Sequence, residues 1–263
     1  MKGIEYYREE SFDMIEIKTC CDDLHAYKSH LHQELSIGYI TKGSTFLTIN
    51  EKEYYIEAGE AVIIYPLVSH KCQPVDINNW EFTMIYIDDE FCKGIFDNLV
   101  AKNSIGLKKL SNDEFEQIKH LADFIKSDAS HLDKAVELIN TLSELFIKCD
   151  IDMFIQFQSS KKMNSIKKYI EDHFLNNLHL KDMEDEFNIN KFSLIRNFKR
   201  KFNTTPNAYQ LQLKVDYGKK LLKGSSDIVD IAIRASFYDQ AHFTKEFKKA
   251  YGITPLQYYK SIH

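Results

Sequence analysis

A segment near the end of the chain occurs twice, at a constant offset of 49 residues. FSLIRNFKRKFNTTPNAYQ, at 192–210, aligns with AHFTKEFKKAYGITPLQYY, at 241–259. A sequence repeated at a fixed spacing indicates a duplicated structural unit. The shared positions are an aromatic residue followed by lysine, a Thr-Pro pair and a tyrosine: Phe198-Lys199 and Phe247-Lys248, Thr205-Pro206 and Thr254-Pro255, Tyr209 and Tyr258.

Each copy has the same predicted order of elements. A short segment precedes it, LKDMEDEFNIN at 180–190 and VDIAIRASFYD at 229–239, and a tight turn leads into a longer helix with a basic face. The Thr-Pro pair then begins another helix, because proline is favoured at the first helical position. A short helix, a turn and a basic second helix describe a helix-turn-helix. The sequence therefore predicts an all-α C-terminal domain with two such units, joined by the long helix NAYQLQLKVDYGKKLLKG.

Charge is divided unevenly along the chain. Residues 161–263 carry 19 Lys and Arg against 11 Asp and Glu, a net charge of +8, whereas residues 1–160 carry 15 against 28, a net charge of −13. An acidic half joined to a basic half indicates two domains, of which the basic one meets a polyanion. We place these domains at 1–155 and 160–263, with the polar stretch 154–164 as the linker.

The second copy, taken with the turn before it, reads SFYDQAHFTKEFKKAYGITPLQYY. It resembles the C-terminal signature of the AraC/XylS family of bacterial transcription regulators, GF-x-D-x-x-x-F-x-x-x-FKK-x-x-G-x-TP-x-x-Y, and the resemblance covers about residues 164–260. Two positions depart from the family pattern, since Ser236 and Asn203 stand where glycine is common. Asparagine tolerates a left-handed backbone conformation, so we expect the turn at 203 to survive. Serine is a mild departure that does not argue against the fold.

The resemblance implies that both units bind double-stranded DNA, with their second helices in successive major grooves about 34 Å apart. Arg196 suits guanine, because its planar fork donates to both O6 and N7, and Gln240 suits adenine. The cations at 199–201 suit phosphate. A solvated helix face is the alternative for any single cation, but cations recur at matching positions in both units. The candidate DNA-binding residues are Lys191, Phe192, Ser193, Arg196, Lys199 and Arg200 in the first unit, and Gln240, Ala241, His242, Thr244 and Lys245 in the second.

Residues 15–90 have the pattern of short strands separated by tight turns. HLHQELSIGYI, TFLTINEKEYYIEAGEAVIIYP and WEFTMIYID are rich in Ile, Val, Tyr, Phe and Thr, which is typical of a β-sandwich or small barrel. Two amphipathic helices follow, and they either cover the sheet or pair with a second chain, so we expect a homodimer. Their predicted apolar faces are Phe115, Ile118, Leu121, Ala122 and Ile125 in the first, and Leu132, Val136, Ile139, Leu142, Leu145 and Phe146 in the second.

Polar residues alternate in HLHQE, at the start of the first of these strands. His30, His32 and Glu34 occupy every second position, so a strand would present all three on one face. Together with two glycine turns, Pro66 and His70, they resemble the cupin barrel, which the AraC family often carries as an N-terminal sensor. The resemblance implies a two-domain α+β chain, with a cupin-like β-barrel or jelly roll and an effector site formed by His30, His32, Glu34 and His70.

The chemistry of this site has three interpretations. Cupin enzymes bind a metal with three histidines and a glutamate, usually with three or four residues between the HxH pair and the glutamate, whereas Gln33 alone separates His32 from Glu34. We therefore predict a metal-free site for a small molecule. A divalent metal at His30, His32, Glu34 and His70, or a purely structural cluster, are the alternatives.

The whole chain is predicted to be a transcriptional regulator and not an enzyme, since it contains no GxGxxG, P-loop, GxSxG or HExxH motif. The alternatives are a metal-dependent cupin enzyme fused to a nucleic-acid-binding module, and a ligand-independent dimeric regulator. RNA polymerase is a candidate partner. No apolar run approaches the length of a membrane helix, no signal peptide is evident, and the five cysteines have no CxxC spacing. We expect a cytoplasmic protein without a membrane partner.

Overall fold

An antiparallel β half precedes a helical half in the computed structural model, which describes residues 3–21, 29–49, 52–88, 91–92, 104–147, 153–156 and 161–263. The first half contains two antiparallel sheets. The strands are β1 (Gly3–Glu9), β2 (Phe12–Cys21), β3 (Leu35–Lys42), β4 (Ser44–Ile49), β5 (Lys52–Glu57), β6 (Glu60–Ile64), β7 (Lys71–Pro74), β8 (Glu81–Ile87), β9 (Ser104–Lys109) and β10 (Met153–Gln156).

The two sheets resemble a jelly roll more than a closed barrel. Seven strands have the order β1-β2-β8-β3-β6-β9-β10, and three have the order β5-β4-β7, with no hydrogen-bonded ladder joining the two sheets among the described strands. The chain passes between the sheets at Gly43 and Gly59, whose φ angles are 79° and 87°. A Cβ at Gly43 would lie 1.8 Å from the carbonyl oxygen of Asn79, so this turn requires glycine.

Strand β2 is buried on both faces. Ile15 and Ile17 pack toward the helices that follow the β half. Glu16 and Lys18, which alternate with them, are 2% exposed and lie on the opposite face. This second face of β2 contacts the helical half through Glu16.

Helices α1 (Asn112–Ile125) and α2 (His131–Ile147) cover the large sheet. Helix α1 buries its predicted stripe, and Ser111 begins it with a capping box. The predicted stripe of α2 is partly wrong, because Leu132 and Val136 are 73% and 48% exposed. Leu142 and Leu145 face the sheet as predicted, and Leu138 lies beside them. Lys134 is buried as well, and its ammonium lies 2.5 Å from the carboxylate of Glu9.

The second half consists of α3 (Lys161–His173), α4 (Leu180–Phe187), α5 (Lys191–Phe202), α6 (Pro206–Leu221), α7 (Ile228–Arg234), α8 (Gln240–Tyr251) and α9 (Pro255–Ile262). Helices α4 and α5 form the first helix-turn-helix unit and α7 and α8 the second, joined by α6 as predicted. Most of the proposed linker belongs to β10 or α3, and residues 157–160 lie outside the described residues. No helix in the described ranges is long and apolar enough to cross a membrane.

The repeated residues are the ones that build the two helical cores. Phe198 and Tyr209 in the first unit, and Phe247 and Tyr258 in the second, are all fully buried. Thr205 and Thr254 cap α6 and α9, each with proline in the first turn. Both departures from the family pattern are accommodated: Asn203 and Ser236 have φ angles of 53° and 56°. The left-handed turn expected at 203 is therefore present.

Candidate DNA-reading surface and effector cavity

The two predicted reading helices begin where the repeat places them. The side chain of Asn190 accepts a hydrogen bond from the backbone N–H of Phe192 at 3.0 Å, which begins α5. The side chain of Asp239 does the same for His242 at 2.7 Å, which begins α8. These caps satisfy backbone donors that a helix N-terminus leaves unpaired.

The eleven predicted DNA-binding residues lie on the outward side of these helices. Ser193 and Thr244 are partly buried, and the other nine are exposed. Sequence reasoning overlooked Tyr238, which is 94% exposed in the turn before α8. The signal for it in the sequence is a large aromatic residue in the turn between the two helices of the second unit, a position from which it can contact a DNA backbone.

A small cavity of about 50 Å³ lies between the two sheets. Its walls are largely apolar, with Trp80, Phe82 and Met84 among them. Its polar lining groups are Lys18, His30, His32, Thr45, His70 and Cys72. The cavity therefore combines a hydrophobic chamber with a few convergent polar groups, which is typical of a small-molecule site.

Three of the four predicted effector-binding residues meet at this cavity. The ring centroids of His30, His32 and His70 lie 4.4–5.3 Å apart. Burial is the main cause of a low pKa in two of these rings. It lowers the pKa of His70 to about 4 and that of His32 well below its usual range. Nδ1 of His70 donates to the carbonyl of Val68 at 2.9 Å. Both rings are therefore neutral at pH 7.

Glu34 does not join the histidines. Residues 31–34 are irregular and β3 begins only at Leu35, so the strand alternation predicted for HLHQE is interrupted. The carboxylate of Glu34 lies 3.8 Å from the ammonium of Lys219 in the helical half. It lines a second cavity of about 410 Å³, which both halves of the chain enclose.

Lys18 and Thr45 are polar groups of the inter-sheet cavity that the sequence did not identify. Burial lowers the pKa of Lys18 to about 8, and its ammonium lies over the rings of Tyr6 and Phe82. Thr45 is 3% exposed, and its hydroxyl has no hydrogen-bond partner among the described residues. A buried hydroxyl without a partner costs free energy, so it marks a place where a ligand atom would be stabilised.

A buried ion pair joins the β half to the second helix-turn-helix unit. The ammonium of Lys219, near the end of α6, lies 2.5 Å from the carboxylate of Glu16 on β2. The hydroxyl of Tyr258 donates to the other oxygen of that carboxylate, also at 2.5 Å. The ammonium is surrounded by four tyrosine rings at 4.8–5.9 Å, those of Tyr6, Tyr86, Tyr251 and Tyr258.

Lys219 holds its charge despite burial. Burial opposes the charged form of Lys219, but the carboxylates of Glu16 and Glu34 outweigh it, and the pKa of Lys219 is raised. Asp216, one turn earlier on α6, shows the opposite balance, because burial and Glu34 raise its pKa to about 7. The contact between the two halves thus contains a buried ion pair in addition to apolar contacts.

Comparison with known proteins is consistent with both halves of this arrangement. The family described as an AraC-like ligand binding domain matches residues 14–135, and a helix-turn-helix domain family matches residues 183–261. The uncharacterised regulator YbfI of Bacillus subtilis is 24% identical, over 82% of this chain and 81% of its own. The Msm operon regulatory protein of Streptococcus mutans is 22% identical, over 92% and 90% respectively.

Solved structures show the same two-domain fold. A lysine-to-alanine variant of ToxT of Vibrio cholerae, without ligand, superposes with a TM-score of 0.65 at 13% identity, covering 95% of this chain and 98% of that variant. ToxT with a bound unsaturated fatty acid gives a TM-score of 0.63 at 15% identity, covering 99% and 94%. These structures show the fold, whereas the matches of the two halves to an AraC-like ligand binding domain and a helix-turn-helix domain, with the regulators that align over most of the chain, show that it belongs to the AraC family of transcriptional regulators, with a ligand-binding domain followed by a helix-turn-helix DNA-binding domain.

Proposed function

We propose that this regulator binds DNA through both helix-turn-helix units under the control of a compact acidic molecule held between the two sheets. The observation that carries the proposal is the composition of the inter-sheet cavity, where Lys18 and the unpartnered Thr45 hydroxyl lie among apolar walls. Burial disfavours the charged form of Lys18. A bound carboxylate would stabilise that charge, and a second ligand oxygen would satisfy the hydroxyl.

The size of the cavity limits the ligand. About 10–15 Å³ of such volume holds one water molecule, so 50 Å³ admits only a few non-hydrogen atoms without rearrangement. A longer apolar tail would have to displace Met84, whose unbranched side chain adapts readily. The fatty acid in one ToxT structure is likewise acidic and mainly apolar, which supports this class of ligand here.

The effector contacts are assigned to Lys18, Thr45 and the three histidines, His30, His32 and His70. Glu34 is assigned to the boundary between the two halves, because its nearest cation is Lys219. A ligand that binds Lys18 would therefore contact β2, the strand whose Glu16 also binds Lys219 and Tyr258 of the helical half.

A thermal-shift screen of small carboxylic acids, each beside its neutral amide, tests the ligand class. We expect at least one acid to raise the melting temperature of the wild type. Its amide should leave that temperature unchanged, and the acid itself should not change the melting temperature of Lys18→Met. Lys220→Met is the matched control, because Lys220 is exposed on α6. Equal shifts for the wild type and Lys18→Met would contradict the assignment of Lys18. A screen without any hit, with regulation intact, would support a ligand-independent regulator.

We infer that the active species is a homodimer formed through α2. Leu132 and Val136 lie one turn apart and are exposed, although the rest of the helix packs on the sheet. Light scattering after gel filtration should give a dimer for the wild type and for the exposed-site control Asn140→Asp, and a monomer for Leu132→Asp. A monomeric wild type at micromolar concentration would contradict this inference.

We also propose that the protein acts in the cytoplasm, has RNA polymerase as a candidate partner and catalyses no reaction of its own. Genome-wide mapping of its binding sites would test the role directly. The enzyme alternative predicts stoichiometric metal together with turnover of a small molecule by the purified chain. Turnover that is lost in His70→Ala would favour the enzyme over the regulator.

A further inference from the structure

Each helix-turn-helix unit has a residue with a left-handed backbone in its turn, and in neither unit is that residue glycine. Asn188 follows α4 with a φ angle of 44°, and Ser236 follows α7 with a φ angle of 56°. In both turns the N–H of the next residue donates to the carbonyl five positions earlier, at 3.2 Å in the first unit and 2.9 Å in the second. A helix that ends with this bond requires the left-handed residue, a position that glycine fills at the lowest cost.

The left-handed residue sets where the reading helix begins. Asn190, which caps α5, lies two positions after Asn188, and Asp239, which caps α8, lies three positions after Ser236. Phe237, between them in the second turn, is buried, and its ring centroid lies 5.1 Å from that of a phenylalanine of α8. A turn that left this conformation would therefore move the start of the reading helix relative to the core.

A lysine from the preceding helix contacts this residue in both units. The ammonium of Lys162, in the first turn of α3, donates to the carbonyl of Asn188 at 3.1 Å. The ammonium of Lys214, in the middle of α6, donates to the carbonyl of Ser236 at 3.2 Å. Helices α3 and α6 each pack against both helices of the unit that follows. Each turn is therefore joined by a charge-assisted hydrogen bond to the helix on which its unit is built.

The repeat in the sequence does not align these two lysines. Lys162 and Lys214 are 52 positions apart, whereas the repeat has an offset of 49, and the two left-handed residues are 48 positions apart. Neither lysine is needed to fill a core, since Lys162 is exposed and Lys214 is only partly buried. The same contact thus occurs twice at positions that the alignment does not pair, which indicates a common role at the turn.

We propose that Lys162 and Lys214 are positioning residues for DNA binding, each of which holds the left-handed turn of its unit and so fixes the start of the reading helix. The Cβ of serine or asparagine disfavours this conformation, and asparagine tolerates it better than serine. The hydrogen bond from the ammonium offsets that cost. The second unit should therefore depend more on its lysine than the first. The role in DNA binding rests on the proposed function, whereas the contact itself does not.

Operator affinity of the full-length chain tests the role in DNA binding. The probe is a DNA duplex that carries a site obtained by genome-wide mapping. We expect Lys214→Met to weaken specific binding about three- to tenfold, which corresponds to the net loss of one hydrogen bond, and Lys162→Met to weaken it less. Lys220→Met removes an exposed cation from the same helix, and this control should stay within about twofold of the wild type.

A second substitution separates a positioning role from a direct contact with a phosphate. Ser236→Gly should restore the affinity of Lys214→Met to within about twofold of the wild type, because glycine adopts the left-handed conformation at little cost. Glycine could not replace a lysine that binds a phosphate, and loss of such a lysine would lower the slope of log affinity against log salt concentration by about 0.9. Unchanged affinity in Lys214→Met, an equal loss in Lys220→Met, a lower salt slope or a failure of glycine to restore binding would each overturn the proposal.

Amide hydrogen exchange in the free protein tests the contact without DNA. The N–H of Phe237 should exchange faster in Lys214→Met than in the wild type, and at the wild-type rate in Lys220→Met and in Ser236→Gly/Lys214→Met. An unchanged rate in Lys214→Met would show that the lysine does not hold the turn. If the rate rises as expected but the wild type has no sequence-specific affinity for the duplex, the proposed function has failed, and the role in DNA binding fails with it although the contact stands.

Discussion

Replacement of Lys219 by methionine should loosen the attachment of the second DNA-binding unit to the β half. Methionine keeps most of the side-chain length but removes the ammonium that contacts Glu16. The Glu16 carboxylate would then remain buried with the Tyr258 hydroxyl at 2.5 Å and the Arg8 guanidinium at 4.0 Å as its partners. A buried charge that loses its main counterion is strongly destabilised.

The expected loss is about 3 kcal/mol. Removal of one partner from a buried pair costs roughly 3–5 kcal/mol, and both side chains qualify, with exposures of 6% and 3%. The lower end applies because Tyr258 and Arg8 still stabilise the carboxylate of Glu16. The double variant Glu16→Gln/Lys219→Met removes the orphaned charge, so it should recover at least about half of the loss.

Equilibrium unfolding in urea, followed by circular dichroism, measures this loss. The midpoint urea concentration should fall while the slope of the free energy against urea concentration stays constant. Lys220→Met serves as the control and should stay within about 0.5 kcal/mol of the wild type. Because the pKa of Lys219 is raised above 10.5, its contribution is complete below that pH and is lost as the pH rises through the folded value. A Lys219→Met midpoint equal to that of the wild type, or a double variant no more stable than the single one, would refute this account.

Three further predictions concern the reading surface, the inter-sheet cavity and the core of the second helical unit. Arg196→Ala should weaken operator binding by about 1–3 kcal/mol and reduce the sequence preference at one base pair. Gel-shift assays on operator variants measure both effects. If neither changes, Arg196 does not contact a base. Thr45→Val removes a buried hydroxyl that has no partner among the described residues. It should raise the free energy of unfolding by about 1 kcal/mol or more and lower the affinity for the acidic effector. A lower free energy of unfolding would show that the hydroxyl makes a hydrogen bond in the folded protein. Gly218→Ala places a Cβ 2.5 Å from the Phe243 ring, whereas Gly224→Ala meets nothing within 4 Å; calorimetry should therefore show a loss of about 1–3 kcal/mol for the first and little for the second.

The DNA-binding half was largely predictable from local signals. The positions that the two copies share form its cores, since Phe198, Tyr209, Phe247 and Tyr258 are fully buried. Asn190 and Asp239, which are residue types favoured at helix N-termini, begin the reading helices. Helical period and capping depend on neighbours within about four residues, so the sequence contains them directly.

The effector half was predictable only in part. His30, His32 and His70 were correctly expected to lie together, because the turns and strands bring the two segments side by side. Glu34 was expected to join them and does not, because an irregular segment replaces the strand there. The exposure of Leu132 shows the same limit: a helix with apolar residues on more than half of its circumference does not specify which side faces the sheet.

The sequence by itself determined that this chain carries two tandem DNA-reading units behind an acidic β half, since repeats, caps and strand alternation are properties of short stretches. Only the tertiary structure decided which charged groups are buried and which residues they contact. Glu16 and Lys219 are 203 positions apart, and nothing local in either segment predicts that they meet. Their pairing and the contact of Ser29 and Ser69 with Asn203 depend on how the two halves pack, and the position of Lys18 in the cavity depends on how the two sheets pack. Electrostatic and hydrogen-bond partners follow distance in space and not distance along the chain.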